Sequence, residues 1–191
     1  EELREFKAIA EACAERERGR VVVVRGDPGV GKSRLVVEFA AVAASHGFAC
    51  HSAAVLDFGS ETGRDAVRSV ARSLLGIAAS ADDAARRSAL DRFAATRSLA
   101  AEQRLFLHDL LDIPASAELR ALAAAMSTAA RERGSIDALC ALATDAAAAA
   151  PLFVAVEDIH WADAWALKRL AGLTPSELTR GPHRPQHRRR R

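Results

Sequence analysis

The stretch Gly26-Asp27-Pro28-Gly29-Val30-Gly31-Lys32-Ser33 decides the fold, together with Val21-Val22-Val23-Val24-Arg25 before it and Leu35, Val36 and Phe39 after it. Its fixed positions Gly26, Gly31, Lys32 and Ser33 meet the pattern GxxxxGK[ST], which arises by chance in about one chain of this length in a hundred or fewer. A phosphate needs several backbone N–H donors aimed inward. Glycine allows that curvature and close approach where a Cβ would block them. A helix starting at Lys32 adds its positive end at the same place, Lys32 supplies a point charge for the β- and γ-phosphates, and the Ser33 hydroxyl can ligate Mg²⁺.

Working outward, Val21 to Arg25 is a β-branched run bounded by Gly19 and Gly26 and is expected to be a strand buried on both faces. Leu3, Phe6, Ile9, Ala10 and Cys13 recur at helical spacing, predicting an amphipathic helix from Glu2 to about Glu17 that Gly19 ends. A second helix is expected from Lys32 to about Ser45, stopping at Gly47, followed by a strand over Phe48 to Val55. Between Ser60 and Ala150 the pattern is helical almost throughout, with breaks expected near Gly76, Pro114 and Gly134. Pro151 introduces a further buried strand, Leu152 to Val156, and Trp161, Trp165 and Leu170 predict a short helix after it.

That last strand delivers two adjacent carboxylates in VAVEDIHWAD, Val154 to Asp163. Ligands of parallel α/β sheets bind at the carboxyl ends of strands, so Glu157 and Asp158 are candidates to face the glycine loop. One would hold Mg²⁺ through water and the other would orient or deprotonate an attacking water. The alternative is that the two acids cap the next helix, with His160 and Trp161 packing beside them.

The bulk properties fit one domain. A chain of 191 residues can bury roughly 70% of the surface its unfolded form exposes, without disulfides. The charge of +2 hides an asymmetry: six arginines and no acid follow from Arg180 onward, leaving a mildly acidic body over 1–179. Domain organisation is therefore expected as 1–175 plus a basic tail, 176–191, too poor in apolar residues to pack. That tail could contact nucleic acid through phosphates, although it has no aromatic residue to stack bases. Cys13, Cys50 and Cys140 are far apart and form no CxxC pair, predicting buried thiols in a reducing compartment. Glu1 to Glu17 is charged throughout, and the most apolar stretch, Ile136 to Val156, is interrupted by Asp137 and Asp145. A cytoplasmic protein with no membrane role is expected.

The glycine loop followed by a hydrophobic strand ending in Glu157-Asp158-Ile159-His160-Trp161-Ala162-Asp163 resembles the AAA/STAND-type P-loop ATPase modules of large bacterial regulators, over about Glu1 to Leu173. LuxR-type transcription factors and adenylate/guanylate cyclase proteins carry such modules. The resemblance implies an α/β P-loop NTPase fold: a parallel sheet with flanking helices, and a largely helical insert before the Glu157 strand. It implies ATP and Mg²⁺ as cofactors. Gly26, Asp27, Pro28, Gly29, Val30, Gly31, Lys32, Ser33 and Arg34 would contact nucleotide; Ser33, Glu157 and Asp158 would hold Mg²⁺; Lys32, Glu157 and Asp158 would be catalytic. Glu157 aligns with the metal-linked Walker B acid and Asp158 with the water-activating one. Their order reverses the commoner Asp-Glu, which is expected to slow hydrolysis. Effector domains C-terminal to the module (cyclase, DNA-binding or helical-repeat) and self-association are the implied partners besides ATP and ADP.

In that branch the sheet order is 5-1-4-3-2, and no hydrophobic fourth strand follows the Glu157 strand here. The chain thus reads as an N-terminal piece of a longer regulator or a truncated product whose Arg-, Pro- and His-rich end comes from a shifted reading frame. The expected function is ATP binding as a regulatory nucleotide switch, with slow Mg-dependent hydrolysis in the complete protein. The alternatives are a non-catalytic fragment and a DNA-handling AAA-type ATPase.

Overall fold

A computed structural model describes residues 1–16, 19–56, 63–95, 97 and 99–174. The expected tail, 176–191, and the end of the first helix at Glu17 lie outside the described residues, as does the start of the helical region at Ser60. Among those described, eight α-helices and two parallel strands occur in the order α1 (Glu2–Arg16), α2 (Lys32–Ser45), β1 (Ala49–Ala54), α3 (Arg64–Leu74), α4 (Asp83–Ala95), α5 (Ala101–Leu110), α6 (Ala117–Ala125), α7 (Thr128–Ala147), β2 (Leu152–Glu157) and α8 (Ala164–Gly172). β1 and β2 pair in register from Ala49 opposite Leu152 to Ala54 opposite Glu157.

Side-chain alternation divides the strands between two layers. On one face Phe153 joins Phe6 and Ala10 of α1 and Phe39 and Ala43 of α2 in a small core. Phe6 stacks on Phe39 with centroids 4.1 Å apart and meets Phe153 edge-on at 5.7 Å. On the other face Ala53, Val55, Val154 and Val156 meet the main core, built from Val67, Val70, Leu107, Leu110, Leu139 and Leu142 of α3, α5 and α7. The apolar stripe of α3 explains why it is drawn in: Ala66, Val67, Val70, Ala71 and Leu74 recur at helical spacing and all are buried.

Four sequence expectations are corrected. Val21 to Arg25 forms no strand: it pairs with nothing among the described residues, and Val21 and Val23 are 62% and 66% exposed. Only Val24 touches a core, the one around Phe6 and Phe39. A strand exists only where a neighbour takes its backbone hydrogen bonds, and β-branched composition cannot supply one. Gly134 does not break a helix, because α7 runs through it with Phe106 of α5 packed where a side chain would stand. The short helix expected after β2 forms as α8 with Trp165 and Leu170 in it, but Trp161 stands ahead of it in the 3-10 turn Ile159–Trp161. None of the three thiols is fully buried: Cys50 is exposed, Cys13 and Cys140 are half-buried, and none is in a disulfide. Gly76, in a left-handed conformation, and Pro114 do fall at helix ends.

Candidate functional site

The glycine loop leads straight into α2. Gly29 and Gly31 adopt φ of 82° and 94°, a region that costs an L side chain roughly 1–2 kcal/mol. Gly31 is the residue before the helix, and no side chain caps it, so the first N–H groups of α2 have no side-chain acceptor. Gly26 has an ordinary φ, but a Cβ there would stand 3.0 Å from Val30 Cγ2. The Lys32 ammonium donates to the carbonyls of Gly26 and Asp27, both at 3.0 Å, and forms no ion pair among the described residues. One of its three N–H groups remains unspent. Asp27, Pro28, Val30, Ser33 and Arg34 are exposed on or beside the loop, and the Ser33 hydroxyl has no partner among the described residues.

Topology sets the loop's position relative to the two acids. α2 turns back into β1 through Gly47, whose φ of 82° closes the turn, and packs along the strand with the Cys50 thiol donating to Ala40 O at 3.4 Å. The 14 residues of α2 span about 21 Å at about 1.5 Å each, close to the length of the six-residue strands. The N-terminus of α2 therefore lies at the same edge of the sheet as the C-terminal ends of β1 and β2. Glu157 ends β2, where its carbonyl accepts from Val55 N at 3.0 Å. Asp158 follows in a left-handed conformation, φ 54°, tolerated by Asp better than by most residues. Among the described residues neither carboxylate makes a hydrogen bond or ion pair, and neither is bonded to the loop.

The capping alternative for these acids fails. The α8 cap is Asp163, whose Oδ1 accepts from Ala166 N at 2.7 Å, and Asp158 caps nothing through its side chain. His160 and Trp161 do not pack into the core either: both are exposed, their rings tilted against each other at 5.0 Å. Among the described residues no group of three or more His, Cys, Asp or Glu could hold a metal unaided. A hydroxyl and one or two carboxylates are the partial set that a hard cation completes with substrate phosphates and water. The donor set thus fits a Mg²⁺–nucleotide: uncapped amides, an unneutralised ammonium, a free hydroxyl and two unengaged acids at one sheet edge.

Two features went unread in the sequence. His51 of β1 is buried against α3, its Nδ1 2.8 Å from Ser73 Oγ and its Nε2 without a partner; burial lowers its pKa. A cleft of about 620 Å³ opens within the helical region, with Trp165 and Arg169 of α8 on its wall. The i, i+4 spacing of those two residues was the available signal.

No helix among the described residues is long and apolar enough to cross a membrane. No curated protein matches the chain, and no solved structure matches it. A family model described as an AAA ATPase domain matches residues 1–183, and with the glycine loop at the head of α2 this establishes that the chain belongs to the AAA ATPase domain family.

Proposed function

We propose that the chain binds ATP with Mg²⁺ at the loop Gly26 to Arg34 and serves as a nucleotide switch in a bacterial signalling or transcription protein. The observation that carries this is the head of α2: amides without a side-chain cap, beside a lysine that no carboxylate neutralises among the described residues. On this reading the amides of Gly29 to Ser33 cradle the phosphates and Lys32 leaves the carbonyls of Gly26 and Asp27 for phosphate oxygens. Ser33 and Glu157 hold the cation, directly or through water. Asp158 orients the attacking water and accepts its proton in the complete protein. Mg²⁺ would supply neutralisation of charge on the phosphates. Domains beyond the module would read the difference between ATP and ADP.

Titration with a fluorescent ATP analogue tests the assignment. Lys32→Ala is expected to abolish saturable binding, and unchanged affinity would remove Lys32 from the site.

One observation favours a second reading, in which this chain binds nucleotide without turning it over. Val21 to Arg25, the segment that aims the loop, pairs with no strand among the described residues. Catalysis needs its groups held to within fractions of an ångström, and an unpaired approach does not hold them. Measured steady-state release of phosphate from ATP by the 191-residue chain would exclude this reading.

A further inference from the structure

The cleft in the helical region holds a largely buried guanidinium that has no ion-pair partner among the described residues. Arg169 is 5% exposed, yet no carboxylate lies within ion-pair reach of it among the described residues. Asp109, Glu132 and Asp163 act on it only from farther away, while Arg64 opposes it. Its Nε donates to Ser135 Oγ at 2.9 Å and its Nη1 to Trp165 O at 2.9 Å, leaving Nη2 without an acceptor among the described residues and not sealed from solvent. Ser135 is 2% exposed and spends its oxygen on Arg169, so its own O–H proton has no acceptor among the described residues. Burial pushes the Arg169 pKa down, but a guanidinium stays charged at neutral pH. A second guanidinium is nearby: Arg169 and Arg64 both lie over the Trp165 ring, 3.7 and 4.7 Å from its centroid.

A largely buried guanidinium without an ion-pair partner is compensated best by an anion that reaches its open donor. Arg131, Lys168 and Arg169 line this cleft together with Arg64, Asp109 and Glu132. Both acids are already engaged, Glu132 with Lys168 Nζ at 2.9 Å and Asp109 with Arg68 Nη2 at 3.5 Å. Leu105, Phe106 and Ile113 supply apolar lining. The volume of about 620 Å³ is that of a small-molecule site.

We propose that this cleft binds a small organic carboxylate, whose anionic end takes the free donors of Arg169 Nη2 and Ser135 Oγ and whose aryl or alkyl body rests on Leu105, Phe106 and Ile113. The site is separate from the glycine loop and does not depend on the nucleotide reading. Its wall helix α8 follows in the chain the turn that begins at Glu157 and Asp158.

Titration of the full chain with 4-fluorophenylacetate, followed by ¹⁹F NMR, tests the proposal, with neutral 4-fluorophenylacetamide as the matched probe. Saturable binding of the acid is expected, at least about tenfold tighter than the amide, because only the acid compensates the guanidinium. Arg169→Gln is expected to weaken the acid at least about tenfold while leaving affinity for a fluorescent ATP analogue unchanged. Should Arg169→Gln fail to fold, Ala164→Trp decides, because Ala164 is exposed on the cleft wall and the indole fills the space. Equal binding of acid and amide, absence of saturable binding, wild-type affinity in Ala164→Trp, or parallel loss of the ATP analogue in Arg169→Gln would each overturn the proposal.

Discussion

Gly31→Ala isolates the backbone demand of the loop. Gly31 sits at φ 94° and ψ 23°, and a Cβ built there meets nothing within 4 Å. The whole effect therefore comes from holding an L residue in the left-handed region, about 1–2 kcal/mol. The loop belongs to neither core, so in the free protein the substituted alanine can relax without unseating α2, and the melting temperature should hardly move. The strain reappears when the loop must close on phosphate, weakening a fluorescent ATP analogue by about 5- to 30-fold. Gly26→Ala is the control. Its φ is ordinary and its Cβ meets Val30 Cγ2 at 3.0 Å, but Val30 is 65% exposed and can turn aside. The expected cost is about 1 kcal/mol or less. If Gly31→Ala stays within about twofold of wild type, or if Gly26→Ala is the more damaging of the two, the loop geometry described here is not the one that binds.

Three further outcomes follow from the packing. Gly134→Ala gains about 1 kcal/mol of helix propensity, yet its Cβ would stand 2.7 Å from Phe106 Cδ2 and Cζ and closer still to Cε2. Overpacking a buried ring costs about 1–3 kcal/mol, so the urea midpoint should fall, and a rise would show that Phe106 does not lie against α7. Asp163→Ala removes the N-terminal side-chain cap of α8 and should cost about 0.5–2 kcal/mol, whereas Asp158→Asn, which keeps a residue tolerant of positive φ, should leave the melting temperature unchanged. Burial lowers the His51 pKa, so the unfolded chain takes up this proton first as pH falls below about 6.5; the stability His51 contributes is complete above that pH and is lost below it. Between about pH 8 and about pH 5.5 the urea midpoint should drop more for wild type than for His51→Gln, and equal drops would remove His51 as the source.

The parts legible in the sequence are those fixed by local rules. α2 begins at Lys32 and ends at Ser45 as its stripe and Gly47 require, and β2 lies within one residue of the apolar run after Pro151. Glu157 and Asp158 stand at a strand end as read. What was not legible depends on partners distant in sequence. Val21 to Arg25 has every local mark of a strand and lacks, among the described residues, the neighbour that makes one. Gly134 has the local mark of a break, and the Phe106 ring overrides it. The cap of α8 fell to Asp163 although two acids stood earlier in the same segment, a choice made by the 3-10 turn between them. Arg169 and Trp165 were visible as an i, i+4 pair, but the burial that gives them interest arises from Ser135 and Phe106, about thirty and sixty residues away in the chain.

The most direct test of the central claim is the ¹H–¹⁵N spectrum of the chain on addition of ADP with Mg²⁺. The amides of Gly29, Gly31, Lys32 and Ser33 are expected to shift together and saturably, because those N–H groups at and before the uncapped head of α2 are the ones that receive phosphate. Saturable binding that leaves these four resonances in place, or no binding at all, would contradict it.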